Sequence, residues 1–111
     1  MLRAPRCPIG FSPPDAVDFC MRVKAHVVFA GRVQGVFFRV NTLSCAESLS
    51  LVGWVRNTDD GRVEAVFEGE EDDVRRAIDW CEREQPHADV TSKKVEFSEP
   101  DGNFREFSIV P

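Results

Sequence analysis

A chain of 111 residues with 42 % hydrophobic side chains can fill one core but hardly two, so one domain is expected. Its 19 acidic residues outnumber its 14 basic ones, and the net charge of −5 disfavours nucleic acid and anionic membrane as partners, so any anion site has to be built locally. No stretch approaches the roughly 20 apolar residues that span a bilayer, and the N-terminus lacks the apolar run of a secretory signal, which makes a soluble cytoplasmic protein the expectation.

Residues 1–20, MLRAPRCPIGFSPPDAVDFC, hold four of the seven prolines and show neither strand nor helix periodicity, so they are predicted to be a flexible extension. Met21 opens the patterned region and is a candidate start of translation; residues 21–111 are predicted to form the folded domain.

Residues 24–30 are a β-branched and aromatic run ending at Gly31, which predicts a first strand. A glycine-bracketed loop over 31–35 follows, after which Phe38, Thr42, Ala46 and Leu49 recur at spacings of 4, 4 and 3, the pattern of a helix with one apolar face that ends near Leu51. Residues 52–56 and 62–68 read as strands joined by Asn57-Thr58-Asp59-Asp60-Gly61, whose Asp-Gly pair suits the positive φ of a tight hairpin. Glu70, Glu71, Asp72 and Asp73 place negative charge where the dipole of a second helix favours it; Val74, Ala77, Ile78 and Cys81 form that helix's apolar face, and Pro86 stops it. Residues 90–97 read as a strand, 100–103 as a turn and 104–110 as a short last strand.

This order predicts an α+β fold, a ferredoxin-like βαββαβ sandwich with two helices on one face of a mainly antiparallel sheet and a short extra C-terminal strand. The two helices can cover only one sheet face, so the other should be partly solvated. Cys7, Cys20, Cys45 and Cys81 show no CxxC or Cys/His spacing, so no metal site is expected; Cys45 and Cys81 fall on the two helices and could approach each other, although free half-buried thiols are the simpler expectation.

A strand-to-helix loop containing glycines points backbone N–H groups into one concavity and binds a tetrahedral anion without net positive charge. Arg39 in the first helical turn could clamp two phosphate oxygens with its guanidinium, although arginines early in helices are commonly plain surface residues. The segment lacks GxxxxGK[ST] and GxGxxG, so nucleotide binding has no support. Asn57 before Thr-Asp-Asp-Gly reads first as a turn former. Trp54, Phe29, Phe67 and Trp80 read as packing aromatics, and His26 and His87 as surface residues.

Two longer stretches change the weight of these readings. Gly31-Arg32-Val33-Gln34-Gly35-Val36-Phe37-Phe38-Arg39, followed after a helix-length gap by Gly53-Trp54-Val55-Arg56-Asn57-Thr58-Asp59-Asp60-Gly61-Arg62-Val63-Glu64, resembles the two signature stretches of the acylphosphatase family in order and separation. The resemblance runs from about Lys24 to the C-terminus and includes Trp80-Cys81 and Phe107-Ser108-Ile109. It implies a hydrolase that splits the carboxyl–phosphate anhydride of acyl phosphates, with no metal and no cofactor. By resemblance, Arg39 binds the substrate phosphate, Asn57 orients the attacking water, and the backbone of Arg32, Val33, Gln34, Gly35, Val36, Phe37 and Phe38 cradles the phosphate. The implied partner is a small-molecule acyl phosphate, with neither nucleic acid nor membrane, and a monomer is expected.

Several features depart from the family pattern: the extension, Glu84-Gln85 before Pro86 where Gly-Pro is common, and the absence of any tyrosine. They bear on stability more than on activity. Larger carbamoyl-transferring maturation proteins begin with a similar domain followed by zinc-binding cysteine pairs, which this sequence lacks, so a free-standing enzyme is expected. A non-catalytic anion-binding module is the next alternative, opposed by the presence of both Arg39 and Asn57. An RNA-binding module is the last, opposed by the acidic charge and the lack of a basic-aromatic strand motif.

Overall fold

In the computed structural model the described residues are 21–111. The predicted extension over residues 1–20, with Cys7 and Cys20, lies outside them. The elements are β1 (Arg22–Arg32), α1 (Phe38–Ser48), β2 (Val52–Asn57), β3 (Val63–Glu70), α2 (Glu71–Arg83), β4 (Asp89–Ser98) and β5 (Phe107–Ile109). β1 shows how the sequence makes them: Ala25, Val27 and Phe29 are fully buried on one face, while Lys24, His26 and Val28 between them lie on the other.

The strand order is β4-β1-β3-β2-β5. β1 pairs antiparallel with β3 and β4, β2 antiparallel with β3, and only β5 runs parallel to its neighbour β2. Both helices lie on one sheet face, α1 over β2 and β5 and α2 over β1, β3 and β4, as the predicted sandwich requires. Phe38, Thr42, Ala46 and Leu49 of the α1 stripe and Val74, Ala77, Ile78 and Cys81 of α2 are all buried. Among the described residues no helix is long and apolar enough to cross a membrane.

Most boundaries shift by one to three residues from the sequence expectation, and three of the shifts have a clear local reason. β1 does not stop at Gly31; it continues to Arg32 through a register shift between Ala30 and Gly31, where it keeps pairing with β4. α1 ends at Ser48 rather than near Leu51, because Ser50 turns into a positive φ and the Leu51 N–H bonds back to the Ala46 carbonyl. α2 ends at Arg83, short of Pro86, as the sequence predicts. β5 covers only Phe107–Ile109, because the preceding residues connect the β4 edge to the β5 edge across the open sheet face.

That connection is held by a buried charge the sequence pattern did not single out. The Glu68 carboxylate, on the open face of β3, accepts the N–H groups of Asp101 and Gly102 at 2.9 and 3.0 Å, and Lys24 pairs with Asp101 at 2.8 Å. Further along the same face, Glu64 accepts from His26 and from Arg56. The His26 contact first, then Arg56, holds the Glu64 carboxyl below its usual range. The stabilisation from these contacts is full above the usual carboxyl range and is lost as pH falls below that range through the lowered value.

A polar seam joins the helices. Buried Gln85 donates from Nε2 to Thr42 Oγ1 at 2.8 Å and to the Phe38 carbonyl at 3.1 Å, tying the end of α2 to the first turn of α1. Cys45 and Cys81 are both free thiols. Burial pushes Cys45 up to about 12, with nearby Cys81 adding to it, and pushes Cys81 up to about 11 against hydrogen bonds with Thr42 and Gln85. Neither is a nucleophile at neutral pH.

Gly53 sits between Phe67 of β3 and Phe107 of β5 in the sheet register, and without a side chain there the two rings stack at 5.4 Å between centroids. Its φ is +136°, and an added Cβ would lie 1.9 Å from the Val66 carbonyl oxygen. Gly53→Ala is expected to lower unfolding free energy by about 3–5 kcal/mol, combining backbone strain with overpacking, as read from the midpoint of urea denaturation.

Candidate functional site

The loop from β1 to α1 is anchored at both ends and arched between. Val33 and Phe38 are buried, and the Phe38 ring packs on Phe29 at 5.2 Å between centroids. Between them Gly35 takes φ +75° and Phe37 takes φ 61°, ψ 24°, left-handed geometry that a bulky residue adopts at a cost of about 1–3 kcal/mol. Alternation of this kind curls successive peptide units around a concavity.

Phe37 is also the N-cap of α1, and its side chain cannot cap. No side-chain cap bond forms and no acidic residue stands in the first turn, whereas α2 begins with Glu71, Asp72 and Asp73. The Asn41 N–H bonds to the Phe37 carbonyl and opens the helical ladder, so the N–H groups of Phe38, Arg39 and Val40 precede it. No acidic side chain in the first turn of α1 offsets their partial positive charge.

A cavity of about 230 Å³ is lined here by Val33, Gly35, Phe37, Phe38, Arg39, Val40 and Asn57. Arg39 brings a permanent charge, and among the described residues no carboxylate pairs with it. Asn57 ends β2 opposite Val63, and its buried Oδ1 has no hydrogen-bond partner among the described residues. A buried acceptor left unbonded costs about 1–3 kcal/mol; Gln85 Oε1 is in the same state, but Asn57 lines this cavity and Gln85 does not.

The structure thus brings together Val33, Gly35, Phe37, Phe38, Arg39 and Asn57 from the predicted set. Arg32, Gln34 and Val36 do not line the cavity. Arg32 is still in β1, paired with Asp89, so the loop proper is 33–37. Val36 packs against the core. Gln34 turns sideways, its Nε2 donating to the carbonyls of Thr58 at 2.9 Å and Arg62 at 2.8 Å. This clamps the loop to the β2–β3 turn, where the Thr58 N–H reaches the Arg62 carbonyl at 2.8 Å and the Thr58 hydroxyl accepts the Arg62 N–H at 3.0 Å. The same hydroxyl donates to Asp60, which with Arg62 lowers the Asp60 carboxyl. Val40 is the lining residue the sequence reading missed; its only signal was its place directly after Arg39.

Three other depressions among the described residues are larger but chemically less pointed, one of them, of about 380 Å³, lying between α2 and β4 beside Arg75 and Phe97. A groove of about 360 Å³ on the open sheet face mixes signs, with Lys94 and Arg62 beside Glu96. One of about 450 Å³ between the helices is lined by Trp80, Arg76 and the inert Cys45. Among the described residues no cluster of three or more His, Cys, Asp or Glu side chains is placed to hold a metal ion.

Comparison with known proteins places this geometry. The sequence profile of the acylphosphatase family matches residues 25–109. An acylphosphatase of Nostoc sp. is 48 % identical over 96 residues, covering 86 % of this chain and 94 % of the relative. One from Haloquadratum walsbyi is 51 % identical over 81 residues, covering 73 % and 87 %. The crystal structure of acylphosphatase from Bacillus subtilis superposes with a TM-score of 0.77 at 36 % identity, covering 80 % of this chain and 99 % of that one.

Replacing Gln34 with methionine keeps its length and removes both donors. Gln34→Met is expected to lower stability by about 1–2 kcal/mol and to speed amide exchange in residues 33–37 and 58–62 without changing exchange in α2, as measured by hydrogen–deuterium exchange.

Proposed function

The chain belongs to the acylphosphatase family, whose reaction is the hydrolysis of acyl phosphates to carboxylate and inorganic phosphate, and from that premise we propose how its own residues carry the reaction. The phosphoryl oxygens accept hydrogen bonds from backbone N–H groups of the 33–38 segment and the first turn of α1. The Arg39 guanidinium donates to two of those oxygens and neutralises charge that grows there in the transition state. The Asn57 amide holds a water in line with the scissile bond.

An asparagine has no basic group at neutral pH, so it positions the water and does not deprotonate it. The water oxygen bonds to phosphorus as the phosphorus–oxygen bond to the acyl group breaks; the bonding electrons leave with the carboxylate, and the water proton passes to a phosphate oxygen. The carboxylate is a weak base and leaves without a general acid, and Arg39 supplies the fixed charge that a metal would otherwise provide. Metal independence is therefore part of the proposal. So is action of the 21–111 domain as a cytoplasmic monomer on small acyl phosphates, with neither nucleic acid nor membrane as partner, a reading the net charge of −5 supports.

The observation that carries these roles is one cavity holding an uncapped helix start, an arginine without a carboxylate and an unbonded asparagine oxygen. Turnover of benzoyl phosphate by the parent in EDTA tests them. Arg39→Ala and Asn57→Ala, with unchanged circular dichroism, are expected to lose at least about a hundredfold in kcat/KM. Equal rates in all three proteins would overturn the residue roles, and loss of parental activity in EDTA would overturn metal independence.

A further inference from the structure

Four of the seven residues lining the cavity are apolar, and two of these are spent on no core. Val33 and Phe38 are buried and pack inward, whereas Phe37 is 72 % and Val40 54 % exposed, the two most exposed large hydrophobic residues after the start of β1. Phe37 at the N-cap and Val40 in the first turn of α1 line the same cavity. Phe37 holds this place in left-handed backbone geometry, which asparagine or glycine would adopt at lower cost. Neither stability nor the phosphate cradle, which uses backbone groups, calls for a phenyl ring at that position.

We propose that Phe37 and Val40 form an apolar rim that receives the acyl part of the substrate, so that the enzyme prefers acyl phosphates with an aromatic or branched apolar acyl group over short or charged ones. The inference rests on the phosphate assignment of the preceding section. With phosphorus in the cradle, the R group begins one carboxyl away, at the mouth of the same cavity. In-line displacement directs the leaving carboxylate away from the water held by Asn57, and the rim residues come from the loop and α1 rather than from β2. A ring against Phe37 gains an aromatic contact and removes apolar surface of both partners from water. A charged acyl group would gain neither.

The test is the ratio of kcat/KM for benzoyl phosphate to that for acetyl phosphate in the parent, Phe37→Ala and Val40→Thr. Alanine bears the same left-handed backbone cost as phenylalanine and brings no oxygen that could cap α1, and threonine keeps the shape of valine, so both variants remove apolar surface and leave the helix start uncapped. Comparing the ratio between proteins cancels the intrinsic reactivity of the two substrates. We expect it to fall about three- to tenfold in Phe37→Ala and by a smaller factor in Val40→Thr, with competitive inhibition by inorganic phosphate staying within about threefold of the parent. A ratio unchanged in both variants overturns the rim. So does a loss of phosphate affinity that matches the loss of benzoyl phosphate turnover, because that result reports a distorted cradle. Arg39→Ala separates the two levels. If it turns over both substrates like the parent, the phosphate assignment fails; if it loses both while the Phe37 and Val40 variants keep the parental ratio, only the rim fails.

Discussion

The site is organised by a helix that starts without a cap. In most helices a side-chain oxygen at the N-cap satisfies part of the exposed N–H set, and α2 surrounds its own start with three acidic residues. α1 instead enters through Phe37, which offers neither an oxygen nor a negative charge. Phe38 locks the turn into the core against Phe29, and Gln85 holds the Phe38 carbonyl from the far helix. Gln34 pins the other side of the loop to the β2–β3 turn. Three anchors from different parts of the chain thus fix the backbone that lines one small cavity. The anion site proposed for a molecule of net charge −5 relies on local geometry of this kind.

The sheet contributes the second half. Antiparallel pairing of β2 with β3 ends at Asn57 and Val63, which fixes the end of β2 beside the loop that leaves β1. The short turn between β2 and β3 is closed by Thr58 and Arg62, and the Gln34 clamp reaches the carbonyl of the residue directly after Asn57. The separation between the proposed phosphate cradle and the proposed water-holding amide is therefore set by hydrogen bonds rather than by loose contact. Gly53, farther along β2, lets that strand lie close enough for Phe67 and Phe107 to stack across it, so the core and the site depend on the same strand.

Much of this was legible in the residues. The stripes Phe38-Thr42-Ala46-Leu49 and Val74-Ala77-Ile78-Cys81 are local patterns, and local patterns report which face is buried. The hairpin was legible because Asp60-Gly61 demands a positive φ, and Gly61 takes one at +89°. What the pattern could not report was pairing between distant side chains. Glu68 reads as an ordinary strand residue until the connection from β4 crosses the open face and presents the N–H groups of Asp101 and Gly102 to it. Gln85 reads as a departure from a family pattern until α1 packs beside it. Gln34 reads as part of a phosphate loop, although its side chain serves the β2–β3 turn. Arg39 and Asn57 were legible as a pair only through the resemblance, because 18 positions of sequence carry no statement of distance.

The central claim, that the uncapped start of α1 with Arg39 and Asn57 forms one anion site, is tested most directly by titrating the ¹⁵N-labelled protein with inorganic phosphate and following amide shifts. The account predicts saturable shifts concentrated at the backbone amides of Gly35 to Val40, with the Arg39 Nε–H and the Asn57 side-chain amide moving along the same isotherm. Shifts centred instead on Arg62 and Lys94 of the open-face groove, or no saturable shift in the 35–40 segment, would contradict it.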